Sequence, residues 1–179
     1  MLIAAIVIVV GLVLFLIATY NGLVRLKVQC DNAWSDIDVQ LKRRYDLIPN
    51  IVETVKGYAS HEKTLFEDIT RARTAAQAAG GGDNVGQQAS AENQVTAGLG
   101  KLIAVAENYP DLKANLNFLA LQEELTGTES KIAYARQFYN DQVMRLNTLI
   151  QQFPARVIAG WGHFEPRMFF DIEDSVRGP

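Results

Sequence analysis

The sequence predicts an all-α protein, with an N-terminal transmembrane helix followed by an antiparallel, up-and-down bundle of three to four long helices that pack like a coiled coil. Three observations lead to this fold class. The first twenty residues, MLIAAIVIVVGLVLFLIATY, carry no charged side chain. Later segments place apolar residues at alternating spacings of three and four, the period of a helix that packs on one face. No run of alternating apolar and polar residues is long enough to indicate a strand.

The apolar run of residues 1–20 is predicted to be a membrane anchor. As a helix rising ~1.5 Å per residue, it spans roughly the ~30 Å hydrocarbon core of a bilayer. A cleaved signal peptide is the rival interpretation, and it would have a basic start, a shorter apolar stretch and a small-residue cleavage site. No Lys or Arg precedes the run, and YNGLVRL follows it without such a site. A single-pass, uncleaved anchor is therefore favoured.

The charges beside the anchor favour one orientation in the membrane. Basic side chains follow the apolar run and none precedes it, and basic segments next to a transmembrane helix tend to stay in the cytoplasm. The soluble part is therefore expected in the cytoplasm, with a periplasmic or other extracytoplasmic location as the alternative. The basic residues concerned are Arg25, Lys27, Lys42, Arg43 and Arg44.

One long helix is predicted to run from the anchor to about Ala79, where the glycines of residues 80–82 stop it. Pro49 lies in its middle, but the apolar rhythm keeps its phase across the proline, and Ile48 would be a poor N-cap for a new helix. A kink at Pro49 is therefore predicted rather than a break. The proline ring removes the hydrogen bond to the carbonyl of Tyr45.

The second predicted helix, from about Gln87 to Asn108, has a weaker signal. Gly98 and Gly100 each lower its helix propensity by up to ~1 kcal/mol relative to alanine, although small residues also permit close helix packing. Its apolar stripe consists of Val95, Leu99, Leu102, Ile103 and Ala106.

The third predicted helix starts near Pro110 and Asp111, since both residue types suit a helix N-terminus. It ends at Phe153, and the bundle as a whole is assigned to residues 21–160. Residues 161–179 form an aromatic and acidic tail that is expected to dock on the bundle or to lie at the membrane or a partner. The seam of the third helix is Phe118, Leu121, Leu125, Thr128, Ile132, Ala135, Tyr139, Gln142, Leu146, Leu149 and Phe153.

A strip of polar residues accompanies this seam. It consists of Gln122, Glu129, Arg136 and Asn140. One interpretation is a solvated flank of the helix; the other is a polar layer inside the bundle, paired with Arg44 and Glu53 of the first helix. Arg44 falls in phase with the seam, whereas its basic neighbours do not. Buried ion pairs add little net stability, but they can fix the register of packed helices.

Composition and motifs indicate no catalytic or metal chemistry. The net charge of -3 does not suggest a nucleic-acid partner, and Cys30 is the single cysteine of the sequence. Neither His61 nor His163 belongs to a zinc motif. Glu123 and Glu129 lack the histidine three residues later that a di-iron bundle requires. We therefore predict no catalytic residue, no cofactor and no metal ligand.

The chain resembles the LemA family of bacterial membrane-anchored helical proteins. The resemblance is carried by YNGLV after the anchor, by AWSDIDVQLKRRYDLIPNIVETVKGYASHE, by AENYPDLKANLNFLALQEELTGTESKIAYARQFYNDQV and by FPARVIAG. It implies a single anchor in the bacterial plasma (inner) membrane and a helical bundle with no established enzymatic activity. It also implies links to membrane proteases, to envelope stress or, in one relative, to magnetosome formation.

These observations favour a non-enzymatic, membrane-anchored scaffold or partner-binding protein that also self-assembles. Its expected partners are the lipid bilayer, further copies of the chain and a membrane protein such as a protease or a stress protein. A ligand-binding or sensor bundle is the alternative, and a carboxylate metal enzyme is less favoured.

Overall fold

The computed structural model describes residues 1–80 and 84–170, and within these ranges it contains helices and no strand. The predicted all-α class is confirmed. The helices are α1 (Leu2–Lys56), α2 (Lys63–Ala79), α3 (Val85–Ala106), α4 (Pro110–Lys113), α5 (Leu116–Gln151) and α6 (Ala155–Trp161).

Helix α1 carries the predicted anchor and continues beyond it for a further 36 residues without interruption. Its apolar residues up to position 17 are exposed in the isolated chain. It is long and apolar enough to cross a bilayer, which no other helix of the described ranges is. The helix also passes through Pro49 without a break, and the bend at that proline stays a prediction.

The predicted long helix to Ala79 is wrong in one respect, because α1 ends at Lys56 and α2 begins at Lys63. The connection GYASHE contains glycine and serine, which are poor helix formers, and Ala59 within it is fully buried. The apolar rhythm resumes in phase after this short turn, so periodicity alone did not reveal it.

Helices α2 and α3 pack closely at a glycine. A Cβ atom added to Gly98 would lie 3.0 Å from Cγ1 of Ile69, whereas one added to Gly100 would meet nothing within 4 Å. Only the first of the two glycines is therefore needed for packing. Helix α3 begins where Oδ1 of Asn84 accepts a hydrogen bond from the backbone N–H of Gln87, at 3.1 Å.

The third predicted helix is divided near its start. Pro110 opens the short helix α4, and α5 begins after Asn115, whose Oδ1 accepts a hydrogen bond from the N–H of Phe118 at 3.0 Å. A side-chain cap at Asn115 therefore replaces the predicted start at Pro110. Most of the predicted seam of α5 is buried, but Phe153 is exposed because the helix ends at Gln151.

The chain divides into two compact units. The first, the anchor unit, comprises Met1–Ser35 and Gln137–Phe169; the second, the bundle unit, comprises Asp36–Arg136 and Phe170 within the described ranges. Residues 171–179 of the predicted tail and residues 81–83 of the predicted glycine loop lie outside those ranges.

The first part of the predicted tail docks within the anchor unit. The side chain of Asn147 accepts a hydrogen bond from the N–H of Arg167 and donates one to its carbonyl, both at 2.8 Å. The hydroxyl of Tyr139 donates to the carbonyl of Met168 at 3.1 Å. Arg167 also forms an ion pair with Asp31 of α1. These contacts hold residues 167–168 against α1 and α5.

Candidate functional site

A charged side chain is buried at the centre of the bundle unit. Arg44 is 1% exposed and lies on the same face of α1 as Leu41 and Ile48, which are also buried. Residues three or four apart share one side of a helix. The apolar seam therefore carries the Arg44 guanidinium inward, where it must find partners to offset the loss of water.

Arg44 finds these partners on two other helices. Its Nη2 donates to the carboxylate of Glu92, which α3 supplies and which is itself 1% exposed. Its Nη1 donates to both carboxylate oxygens of Glu129 on α5, at 2.9 and 3.1 Å, and to the hydroxyl of Thr96 at 3.1 Å. One guanidinium therefore joins α1, α3 and α5.

Tyr45 extends this cluster. Its hydroxyl donates to the second carboxylate oxygen of Glu92, so Glu92 accepts from two adjacent residues of α1. We call Arg44, Tyr45, Glu92, Thr96 and Glu129 the polar layer. The Nε of Arg44 has no hydrogen-bond partner among the described residues, so the layer is not completely satisfied.

Burial and hydrogen bonding shift the pKa values of two groups in the polar layer. Burial raises the pKa of Glu92, against the opposing effects of Arg44 and Tyr45. Burial and the hydrogen bond to Glu92 raise the pKa of Tyr45, so its phenol stays protonated at neutral pH. The arrangement can fix the register of three helices.

A second polar contact lies beside the layer. Pro49 has no N–H, so the carbonyl of Tyr45 loses its usual partner in α1. The Nε of Arg73, on α2, donates to that carbonyl at 2.8 Å. The side chain of Arg73 therefore supplies the hydrogen bond that the proline removes, and it joins α2 to α1.

The structure brings together two of the six residues that the sequence predicted for a polar layer, Arg44 and Glu129. Glu53 is exposed and lies outside the layer, because it is two residues from the buried Ile51 and so faces away from the seam. Gln122 is half-buried on α5, one heptad before Glu129.

The remaining two predicted residues have other surroundings. The guanidinium of Arg136 lies over the ring of the buried Phe170, 5.4 Å from its centroid. This is a cation–π contact within the bundle unit. Asn140 is half-buried and belongs to the anchor unit.

Glu92 is not among the residues predicted from the sequence, although a signal for it is present. The buried residues of α3 continue the stripe that starts at Val95 backwards by three and four positions, to Glu92 and Gln88. A polar residue in phase with an apolar seam is the same pattern that identified Arg44. The buried residues of α3 are Gln88, Ala89, Glu92, Val95, Leu99, Leu102 and Ala106.

The carboxylate metal alternative receives no geometric support. No group of three or more His, Cys, Asp or Glu side chains is placed to hold a metal ion within residues 1–80 and 84–170. Glu123, one of the carboxylates considered for that role, is exposed on α5.

Comparison with known proteins identifies relatives across most of the chain. The profile of the LemA family matches residues 33–179. A protein named magnetosome protein MamQ 2 from Paramagnetospirillum magneticum is 23% identical over 96% of this chain and 71% of its own length. Magnetosome protein MamQ from Magnetospirillum gryphiswaldense is 22% identical over 81% of this chain and 62% of its own length. Protein LemA from Metamycoplasma hominis is 27% identical over 78% of this chain and 63% of its own length.

Proposed function

Since the chain belongs to the LemA family, we propose that this membrane-associated helical protein is a non-enzymatic scaffold, which assembles with copies of itself and binds a partner protein in the same membrane. The names of its relatives indicate no enzyme family. A scaffold needs a fixed position and an interaction surface rather than a reactive centre.

One observation carries the proposal: α1 is a single helix from the anchor into the bundle unit. A flexible linker after the anchor would let a soluble domain tumble near the membrane. Here the backbone that leaves the bilayer is the backbone that carries Arg44, and the polar layer ties it to α3 and α5. Such a connection suits a protein whose interaction surface is carried on the same helix as its anchor.

Self-assembly is supported by the anchor. Small residues recur there every seven positions, at Ala4, Gly11 and Ala18, and therefore lie near one another around the helix. Small residues let transmembrane helices approach closely. Nothing in the described residues lies within 4 Å of a Cβ atom added to Gly11, so this stripe is open to a second copy.

The particle mass in mild detergent tests the assembly. Light scattering is expected to give a protein mass of more than one chain per micelle for the wild-type protein. Gly11→Leu is expected to shift it towards one chain, because the larger side chain separates the anchors. Ala5→Leu, about 120° from Gly11 around the helix, is the control and should leave the mass unchanged. A wild-type particle of one chain per micelle would exclude self-assembly.

The proposal places the bundle on the cytoplasmic side of a bacterial inner membrane. Arg25 and Lys27 follow the anchor directly and are exposed, and the positive-inside tendency favours that side for them. Protease added to intact spheroplasts of an expressing bacterium is therefore expected to spare the bundle and to digest it after lysis. Digestion of the bundle in intact spheroplasts, with a cytoplasmic marker still protected, would reverse the orientation.

A further inference from the structure

Helix α6 has an apolar side that faces away from the protein. Ala155, Ile158 and Ala159 are buried within the anchor unit. On the other side, Val157 is 66% exposed and Trp161 is 81% exposed. These two residues are four apart and share a face of the helix. Phe153, four residues before Val157, is 84% exposed. Phe153, Val157 and Trp161 are called the α6 patch below.

The α6 patch lies beside the end of the anchor. A groove of about 430 Å³ with an almost entirely apolar lining is shared by α1 and α6. The anchor contributes Leu16, Ile17 and Tyr20 to it, and α6 contributes Ile158 and Trp161. The lipid-facing side chains of the last turns of the anchor therefore continue directly into the α6 patch.

The turn after α6 fixes this position. The N–H of Phe164 donates to the carbonyl of Ala159 at 2.9 Å, and His163 has a left-handed backbone with φ 54°. This pairing is the Schellman motif, which reverses the chain at a helix end. It returns the ring of Phe164 to Tyr20, with centroids 5.6 Å apart in an edge-to-face arrangement.

Exposed basic side chains are present on both helices that line the groove. Arg156 is exposed on α6, and Arg25 and Lys27 are exposed on α1 just beyond the anchor. Phosphate headgroups lie at this level of a bilayer. Trp and Tyr are enriched there, because their rings are apolar and their N–H or O–H groups are polar. A short helix with aromatic and basic residues is typical of a segment that lies in the interface.

We propose that the α6 patch is a second membrane contact, with Phe153, Val157 and Trp161 inserted among the lipid acyl chains at the headgroup boundary where the anchor leaves the bilayer. Lipid is the occupant because the groove shares Leu16, Ile17 and Tyr20 with the surface that already faces acyl chains. A helix held at one end by its anchor and at a second point by α6 cannot tilt freely. This contact is independent of the proposed scaffold role and is tested separately.

The two tryptophans of the sequence give a matched measurement. Trp34 lies fourteen residues after Tyr20 on α1, about 21 Å further along the helix axis. The full-length Trp34→Phe variant leaves Trp161 as reporter, and the Trp161→Phe variant leaves Trp34. Both are reconstituted in phosphatidylcholine vesicles brominated near the carbonyl end of the acyl chains. Trp161 is expected to lose most of its fluorescence relative to unbrominated vesicles, and Trp34 is expected to keep it.

A nitroxide label keeps the proposal testable where a tryptophan variant fails to fold. Val157→Cys carries the label in the patch, and Ser35→Cys, about 22 Å beyond Tyr20 on α1, carries the control. The patch label is expected to collide with oxygen more than with a water-soluble nickel complex, and the control label is expected to do the reverse.

Equal quenching of the two tryptophans, or a patch label accessible to nickel, would overturn the proposal. Spin–spin broadening at position 157 with shielding from oxygen would show a second copy in place of lipid, and would overturn it too.

Discussion

Replacing Arg44 with alanine is expected to lower the free energy of unfolding by about 3–5 kcal/mol, since removing one partner of a buried ion pair leaves the other charge without compensation. The carboxylate of Glu92 would lose the guanidinium of Arg44 as its partner and would remain buried. Chemical denaturation followed by circular dichroism in detergent measures the loss.

The adjacent residue is the control for this experiment. Arg43 pairs with Glu124 at 2.8 Å, but the two side chains are 47% and 43% exposed. Exposed ion pairs contribute about 0–1 kcal/mol, so Arg43→Ala should change the stability by no more than that. Replacing Arg44 and Glu92 together with leucine is expected to recover part of the loss, because the buried charge of Glu92 is then removed, while Glu129 and the hydroxyl of Tyr45 still lose their partners. Equal losses for Arg43→Ala and Arg44→Ala would contradict a buried role for Arg44.

The same variant should respond to pH in a defined direction. Burial raises the pKa of Glu92, and Arg44 opposes this effect. Without Arg44 the pKa of Glu92 rises further above its unfolded value of 4.5. The folded variant then binds more protons than the unfolded chain, and its stability falls as pH rises through that window. The loss caused by Arg44→Ala is therefore expected to be larger near about pH 8 than near about pH 5. A loss that does not change with pH would mean that Glu92 is not the group left without a partner.

The polar layer shows what a single sequence reveals of such a site. Arg44 and Glu129 were predictable because each sits in or beside a strong apolar rhythm, so their inward direction follows from helix geometry. Glu92 was missed because α3 has a weak pattern, with glycines at positions 98 and 100 and the stripe recognised only from Val95. Which helix supplies the counter-charge depends on how three helices pack, and periodicity within one helix does not contain that information.

The helix boundaries show a second limit of prediction from the sequence. The period of the apolar residues identified the helical segments but not the breaks after Lys56 and Lys113, and the signals that end helices located the limits of α3 and the end of α5 to within a few residues. Local side-chain bonds set the divisions that were missed. Asn115 caps α5 because its oxygen reaches the N–H of Phe118, and Pro110, an equally good start by composition, opens a helix of only four residues.

The sequence identified the backbone carbonyl that loses its hydrogen-bond partner at Pro49. It did not identify the side chain that donates to this carbonyl instead. The carbonyl of Tyr45 cannot accept a hydrogen bond from Pro49, which has no N–H, and the Nε of Arg73 on α2 donates to it at 2.8 Å. Leaving a buried acceptor unsatisfied costs about 1–3 kcal/mol. Because this hydrogen bond is only partly buried, Arg73→Ala is expected to lower the free energy of unfolding by an amount near the lower end of that range. Arg71→Ala, two residues earlier on α2, removes an exposed ion pair with Asp68 and serves as the control. Arg71→Ala should lower the free energy of unfolding by less than about 1 kcal/mol.

A double-mutant cycle tests whether Arg73 acts through the proline. Pro49→Ala restores an N–H that can donate to the carbonyl of Tyr45, and it removes the clash of the ring, so it is expected to stabilise the fold by up to ~3 kcal/mol. In that background the carbonyl is already satisfied, and Arg73→Ala is expected to cost less than about 1 kcal/mol. The difference between the two costs is the coupling of Arg73 to Pro49. An Arg73→Ala loss that is the same with proline and with alanine at position 49 would show that Arg73 stabilises α2 by packing alone. A coupling of about 1 kcal/mol or more would show that a long-range side chain compensates for the proline, so that α1 continues unbroken from the membrane anchor into the bundle.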